Sequence, residues 1–553
     1  MSATGLPPLP GTAAQARTRE RRSAAAGWLQ LPPTPGGVFR PADPWLVVAL
    51  LFALVLLVVT AVLAGQADLI LAYQDAPSHV VTPRRVFDNA EASFAQLGTH
   101  WTPLYHVLVL PFVWLDPIYE NGVSGTIVSI LASLAACWYL YRLCLMAGTS
   151  RQAAFAAAVM LAASPSFLYA GVIPMLYATI MAATTANVYY LARWAQLGGG
   201  FTLLAAGLSL SLATLAHFDT WILAPLELAV VLGIARSRWR GTKRIESTVL
   251  LWLVAGGYGL FLFLLMNVMI YGDPLAFLGG TIDDTTTVFN VSEPGLDGAS
   301  AYPHAAYLNA GPALVAAGAV GLVLYLLRAR SDARLLIPLL LLYPLAFYTV
   351  QALSSGSIII PGDGLGDWRN LRYGVTILPA LAFFAAAGIR NHVGVAVVTA
   401  LVCAGGVLMA TSGQVAAWED AEGDVPYAPR IERAAQWMGE HATAGRIYFP
   451  AHHEFLDRLQ LQSGLDSSRF IDANDSKLWK KFRRRPHALI ESDVKWIVWL
   501  RVRAPERVRP ALAATGANLC FIDEVPDSGR YLIRIYSTGE CPAKARHTKA
   551  PRD

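Results

Sequence analysis

The sequence predicts an α-helical polytopic membrane protein of about eleven transmembrane helices that ends in a small α/β domain outside the membrane. Three observations lead there. Of 553 residues, 55% are hydrophobic and only 15% are charged, against roughly 25% charged in a soluble domain. Apolar runs close to the roughly 20 residues that span a bilayer recur between residues 45 and 410. Beyond residue 411 these runs give way to short alternating helical and strand-like stretches.

Residues 1–44 carry Arg17, Arg19, Arg21, Arg22 and Arg40 among Pro-rich stretches at 7–10 and 32–35. Such a segment buries no core and is expected to be a disordered cytoplasmic tail. The apolar run that starts at Trp45 comes too late and runs too long for a signal peptide, so it is read as a retained first membrane helix. The expected spans lie near 45–64, 122–141, 152–170, 175–192, 201–216, 220–235, 248–270, 308–327, 335–353, 371–389 and 392–410. The run at 103–115 is about 13 residues long, which suits an interfacial or re-entrant segment.

The net charge of +5 matters less than where the cations fall. If the N-terminal tail is cytoplasmic and 103–115 does not cross, the loops with Arg142 and Arg151, Arg193, Arg236 to Arg244, Arg328 to Arg334, and Arg390 all face the cytoplasm. The outer side then holds 65–121, 171–174, 217–219, 271–307, 354–370 and everything after 411. The Ala-, Gly- and Arg-rich composition suggests a GC-rich bacterial genome, and hence the bacterial inner membrane.

Residues 411–545 suffice for a domain with its own core. A helix is expected at 427–440 and strands at IYF 447–449 and WIVWLRV 496–502. LCFIDEV and RYLIRIY flank the turn Pro526-Asp527-Ser528-Gly529. Residues 546–553 read as a basic, disordered tail. The five cysteines form no CxxC or Cys/His motif. Cys520 and Cys541 would be free to pair in an oxidising compartment, or to stand apart as two small residues.

The chemistry-bearing residues crowd the first outer loop, module 65–121 of the membrane part 45–410. Asp75, His79, Arg84, Arg85, Asp88, His100 and His106 fall within about 35 residues, and ionisable groups beside a membrane usually serve ions, substrates or headgroups. Asp75 can act as a general base toward an acceptor hydroxyl; Asp-Ala-Pro is also a good helix start, so capping is its simpler reading. His79, four residues on, shares a helical face with it, but D-x-x-x-H is a low-specificity metal pattern. His217 and Asp219 lie between two spans on the same side. Asp273, in Gly-Asp-Pro, is first a turn residue. Arg369 and Arg372, at i and i+3, would hold a phosphate on one helical face, or snorkel to headgroups.

Six stretches, QDAPSHVVTPRRVFDN, GTHWTPLYHVLVLPF, SPSFLYAGVIPM, HFDTW, YGDPLAFL and NLRYGVTILP, stand in that order over roughly residues 45–390. Together they resemble the GT-C class of integral-membrane glycosyltransferases, in the branch that includes protein O-mannosyltransferases and lipid A aminoarabinose transferase. The resemblance implies inverting transfer of a sugar from a polyprenyl-phosphate donor to a glycan, lipid or protein acceptor outside the cytoplasm. Asp75 takes the place of the base. Membrane lipids are the other implied partners, with no nucleic acid. The arginines Arg84, Arg85, Arg369 and Arg372 are candidates to steady the leaving phosphate by placement, with His79, Asp88, His100, His106, His217 and Asp219 as further substrate contacts. No cofactor is implied, and a divalent metal is left open. The chain departs from similar sequences at Tyr177, where an acidic residue is common, at His217-Phe218, where an Arg-Tyr pair is common, and at Ala76, where a second acid follows the aspartate. A lipid-linked saccharide transporter and a catalytically inactive accessory protein are the competing classes. Transporters place ionisable groups near the midplane, whereas here they crowd one face.

Overall fold

The computed structural model describes residues 43–97, 101–278, 294–329, 332–360, 368–389, 391–422, 428–451, 454–472, 476–500, 505–524, 532–542 and 545–547. Of the tail expected over 1–44, residues 1–42 lie outside the described residues, as do His100 and Arg390, while Pro44 already begins the first helix.

Every apolar run read from the sequence coincides with helix. In chain order the elements are α1 (Pro44–Gln66), α2 (Asp75–Arg85), α3 (Leu104–Val109), α4 (Val123–Met146), α5 (Arg151–Ala162), α6 (Tyr177–Leu197), α7 (Gly200–Ala216), α8 (Leu223–Arg238), α9 (Thr242–Tyr271), α10 (Leu296–Ala329), α11 (Tyr343–Ser355), α12 (Leu378–Ala387) and α13 (His392–Thr411). Stretches of 3-10 helix precede α8, α11 and α12, over Phe218–Ile222, Ala333–Leu342 and Leu371–Ile377. Seven helical segments among the described residues are long and apolar enough to cross a bilayer, fewer than the eleven spans expected. The others are shorter, like α5 and α7, or more polar, like α6. Helix α6 buries Thr184, Thr185, Asn187 and Tyr189 against its neighbours. A helix surrounded by protein does not need a uniformly apolar surface. Helix α1, by contrast, exposes Val48, Leu51, Val55 and Val62 outward, as a lipid-facing helix does.

Small residues set the closest approaches. Ser211 Oγ in α7 donates to the Ala255 carbonyl at 2.6 Å and accepts from the Gly259 amide at 2.8 Å. A Cβ at position 259 would run into the Ser211 backbone, so only glycine lets α7 and α9 meet there. Helix α10 starts earlier than the run at 308–327 and breaks at Gly311 (φ 73°), just ahead of Pro312. The segment 103–115 forms only the short α3 before an irregular stretch, too short to span.

The basic loops gather at one end of the bundle. Arg328 bonds the Ala147 carbonyl, Arg238 bonds those of Trp194 and Ala195, and Arg151 pairs with Asp43 at 3.4 Å. The first loop, with α2, closes the opposite end.

After α13, the short α14 (Ala416–Glu422) packs back on the bundle. The C-terminal part then places α15 (Ala428–His441), α16 (Glu454–Gln462), α17 (Ser476–Arg484) and α18 (Pro505–Thr515) around six strands. These are β1 (Arg446–Tyr448), β2 (Phe470–Ile471), β3 (Val494–Leu500), β4 (Asn518–Glu524), β5 (Leu532–Ser537) and β6 (Ala545–His547), in the sheet order β2-β1-β3-β5-β4-β6. Strands β4 and β5 pair antiparallel, while β1 runs parallel to β2 and β3; the turn expected over Pro526–Gly529 lies outside the described residues. The tail expected to be disordered from 546 is corrected in part: Ala545–His547 is an edge strand parallel to β4, where free ladder groups of β4 give it a partner. Cys520 and Cys541 are joined in a disulfide that ties β4 to the segment before β6.

Buried charge docks this domain onto α2. Arg85, 1% exposed, meets Asp457 at 2.7 Å, Gln460 at 2.8 Å, and Asp472. Arg458 reaches back to the Leu71 carbonyl at 3.1 Å. Removing one partner of a buried ion cluster leaves uncompensated charge and costs about 3–5 kcal/mol. Arg85→Met should therefore lower the thermal unfolding temperature of the full chain in detergent and expose the C-terminal domain to limited proteolysis. An unchanged transition and cleavage pattern would refute this docking role.

Candidate active site

Helix α2 begins at Asp75, but Gln74 holds the capping position and no side chain caps the helix. The simple capping reading of Asp75 is thus corrected. Its carboxylate leaves the helix and meets Arg372 at 2.8 Å, because a charged donor outcompetes backbone amides for it. Arg372 comes from 297 residues further along the chain, in the 3-10 segment Leu371–Ile377.

That guanidinium is held on several sides. Its Nε donates to the Tyr177 hydroxyl at 2.9 Å, and it lies over the Tyr73 and Tyr373 rings at 4.8 and 5.6 Å. Cation–π contacts of this kind contribute about 0.5–2 kcal/mol each. Its backbone N–H donates to Asp420 of α14 at 3.3 Å. The Tyr73 hydroxyl donates to the Ala417 carbonyl at 2.5 Å and approaches the same Asp420 oxygen at 3.3 Å. Burial first, then Asp420, pushes the Tyr73 phenol well above its ordinary range, so it stays a proton donor. Asp75 and Arg372 keep 24% and 14% of their side-chain surface open, so the pair is reachable from outside.

A wall of aromatic rings continues from this pair. Tyr177 meets Tyr373 edge-on at 5.7 Å, and Tyr373 neighbours His217 at 5.9 Å and Tyr348 at 5.7 Å. Behind them Asp219 is fully buried, with His217 Nδ1 2.9 Å from its Oδ1 and the Tyr348 hydroxyl donating to Oδ2 at 3.2 Å. Tyr302 stacks on Tyr348 at 4.5 Å. A continuous chain of polar and aromatic contacts thus runs inward from the partly open Asp75–Arg372 pair to Asp219, with Tyr177, Tyr302 and Tyr348 buried along it.

The remaining residues singled out from the sequence lie elsewhere. His79 is buried, with Nδ1 2.8 Å from His106 Nε2 and its ring against Trp101 and Tyr105. Arg84 is engaged by Asp88 at 3.2 Å, Asp116 at 3.0 Å and the Val113 carbonyl at 2.6 Å. Asp88 accepts the amides of Ser467 and Ser468. Asp88 and Arg85 thus join the loop to the C-terminal domain, while Arg84 ties together the loop itself. Arg369 is exposed and bridged by its backbone to Ile360. It does not share a helical face with Arg372 as its spacing suggested, because Asn370 adopts a left-handed φ of 64° and the turn starts only at Leu371. Asp273 accepts the Leu275 amide at 2.9 Å, the turn role. Sequence reasoning passed over Tyr73, Tyr348, Tyr373 and Asp420. The Tyr-Gly after Arg372 and the acid just past the last span were the available signals. Among the described residues no three His, Cys, Asp or Glu side chains group as metal ligands.

No protein-family model and no curated protein matches the chain. Solved structures do. ArnT from Cupriavidus metallidurans bound to undecaprenyl phosphate aligns over 91% of this chain and 100% of that one, with a TM-score of 0.54 and 14% identity. The apo ArnT structure gives 0.50 and 13% over 86% and 97%. The archaeal oligosaccharyltransferase AglB from Archaeoglobus fulgidus, in complex with an inhibitory peptide and a dolichol-phosphate, gives 0.50 and 11% over 90% and 74%. At such identities the likeness is one of fold. The chain is an integral membrane protein with the GT-C-type fold of membrane glycosyltransferases.

The His79–His106 contact has a pH consequence. Burial first, and then His79, holds His106 well below the ordinary imidazole range. The unfolded chain takes up this proton below about pH 6.5 while the folded chain resists it, so stability falls as pH drops through that value. His106→Gln should flatten the loss of thermal stability between about pH 7.5 and 5.5. A variant that loses stability on acidification as steeply as the native chain would contradict this.

Proposed function

We propose that the protein transfers a sugar from a polyprenyl-phosphate donor to a hydroxyl acceptor outside the cytoplasm, with inversion at the anomeric carbon. The observation that carries this reading is the half-open Asp75–Arg372 pair at the head of an aromatic wall. The binding of undecaprenyl phosphate and dolichol-phosphate by proteins of the same fold supports the donor class.

The pair can work as an exchange. A donor phosphate is a stronger partner for a guanidinium than one carboxylate, since it offers more anionic oxygens. When it takes Arg372, Asp75 is released with its carboxylate free to act as base. The acceptor hydroxyl then gives its proton to Asp75 as its oxygen bonds to the anomeric carbon. The bond from that carbon to the phosphate oxygen breaks, and the electron pair leaves with polyprenyl phosphate, whose charge Arg372 balances. Tyr73 and Tyr177 keep the guanidinium in place through the change. In this scheme Arg372 carries the counter-charge and no metal is required. The orientation follows from the basic loops at one end and from the Cys520–Cys541 disulfide, which fits an oxidising compartment beyond the bacterial inner membrane.

Purified protein supplied with a radiolabelled polyprenyl-phosphate sugar and its acceptor should transfer label. Asp75→Asn should lose transfer by about 10²-fold or more while still binding donor. Arg372→Lys should chiefly weaken donor binding, because an ammonium cannot make the forked contact. Full transfer by Asp75→Asn would remove the base assignment. A reporter fused after residue 545 should be active only outside the cytoplasm, and a cytoplasmic signal would reverse the topology.

A further inference from the structure

At the end of the bundle opposite Asp75, a cavity of about 570 Å³ opens among the ends of α6, α7, α8 and α9 and the turn that precedes α11. Its walls bring together Arg238, from the end of α8, and Arg334, nearly a hundred residues later in sequence, with the indoles of Trp194 and Trp239. Gly198 and Gly199, both at left-handed φ of 76° and 92°, form another wall free of side chains, which leaves room for a ligand against the backbone. The site is distant in the fold from the Asp75–Arg372 pair and takes no part in the proposed transfer.

Arg238 is fixed rather than loose. It bonds the carbonyls of Trp194 and Ala195 at the end of α6 and lies over the Trp194 ring at 5.5 Å. Both carbonyls are neutral, so the charge of Arg238 has no counter-ion among these contacts. Among the described residues the ion-pair partner of Arg334 is Asp332, in a forked contact at 2.9 and 2.8 Å that is solvent-exposed. Solvent screens such a pair, so a phosphate, with more anionic oxygens than one carboxylate, can compete for the guanidinium. The two guanidiniums and one carboxylate leave the cavity cationic. Its volume falls within the range of about 300–1,000 Å³ usual for small-ligand sites. Indoles beside it are the side chains that sit where an apolar body meets water.

We propose that this cavity binds the phosphate headgroup of an anionic membrane lipid, with Arg238 and Arg334 on the phosphate and Trp194 and Trp239 against the glycerol and first acyl carbons. The basic loops around it place it in the leaflet expected to face the cytoplasm, where anionic lipids attract such residues. Asp332 then competes with the lipid for Arg334.

The competition gives a two-signed test on the full chain in detergent, by native mass spectrometry with phosphatidylglycerol, phosphatidylcholine or inorganic phosphate. The native chain should retain phosphatidylglycerol about tenfold more strongly than phosphatidylcholine, in proportion to one charge-assisted contact. Arg334→Gln should cut that retention by a similar factor. Asp332→Asn keeps a side-chain oxygen to cap the turn but removes the competing charge, so it should raise retention. Matched thermal unfolding of both variants shows that they fold. Equal retention of the two lipids, or no opposite effect of the two substitutions, would overturn the proposal. Displacement of phosphatidylglycerol by millimolar inorganic phosphate would overturn the lipid as the source and leave a free-phosphate site.

Discussion

One guanidinium organises the end of the bundle that α2 closes. Arg372 reaches Asp75 from the first loop, Tyr177 from the start of α6, Tyr73 from the loop after α1, and, by its backbone, Asp420 from beyond the last span. These residues lie up to about 350 positions apart in the chain, so the helices that carry them must be in register before the site exists. A cation in this position is costly unless paired and hydrogen-bonded. The surrounding acids and phenols meet that cost and leave one face of the pair open.

The rest of the architecture follows from the need to hold that face at the membrane surface. The helices that carry site residues, α6 with Tyr177 and the turns before α8 and α12 with Asp219 and Arg372, are the shielded ones. The lipid-facing helices, such as α1, are apolar and carry none of the chemistry. The C-terminal domain is fastened to the first loop by Arg85, Asp457, Asp472 and Arg458. The charged residues of that loop therefore divide their tasks: Asp75 pairs with Arg372, Arg85 and Asp88 hold the C-terminal domain, and Arg84 braces the loop itself.

Much of the fold was legible in the sequence. Each apolar run became a helix, because twenty apolar residues have few other ways to satisfy their backbone in a bilayer. Strands β1, β3, β4 and β5 followed their β-branched and aromatic patterns, while the two- and three-residue edge strands β2 and β6 were too short to show one. Asp75 stood out by the company it kept, and Arg372 by being a cation on the side where cations are scarce. The limits are equally physical. Arg84 and Arg85 looked the same as Arg372 in sequence, since nothing local reveals which carboxylate a long side chain will find across several hundred residues. Arg369 was lost to one left-handed residue, Asn370. Tyr73, Tyr348, Tyr373 and Asp420 were passed over because an aromatic or acid at a helix end has many ordinary explanations. Only the packed bundle gathers them around one charge. Helices α5 to α7 are shorter or more polar than the lipid-facing ones because burial among other helices, not lipid, sets their composition.

The exchange of partners at Arg372 is the step on which the proposed chemistry depends. A structure of the full chain with undecaprenyl phosphate bound examines it directly. The phosphate should lie on Arg372, with Tyr73 and Tyr177 still in contact, and the 2.8 Å bond to Asp75 should be broken with the carboxylate turned toward the acceptor side. A phosphate held elsewhere, with the Asp75–Arg372 bond intact, would contradict it.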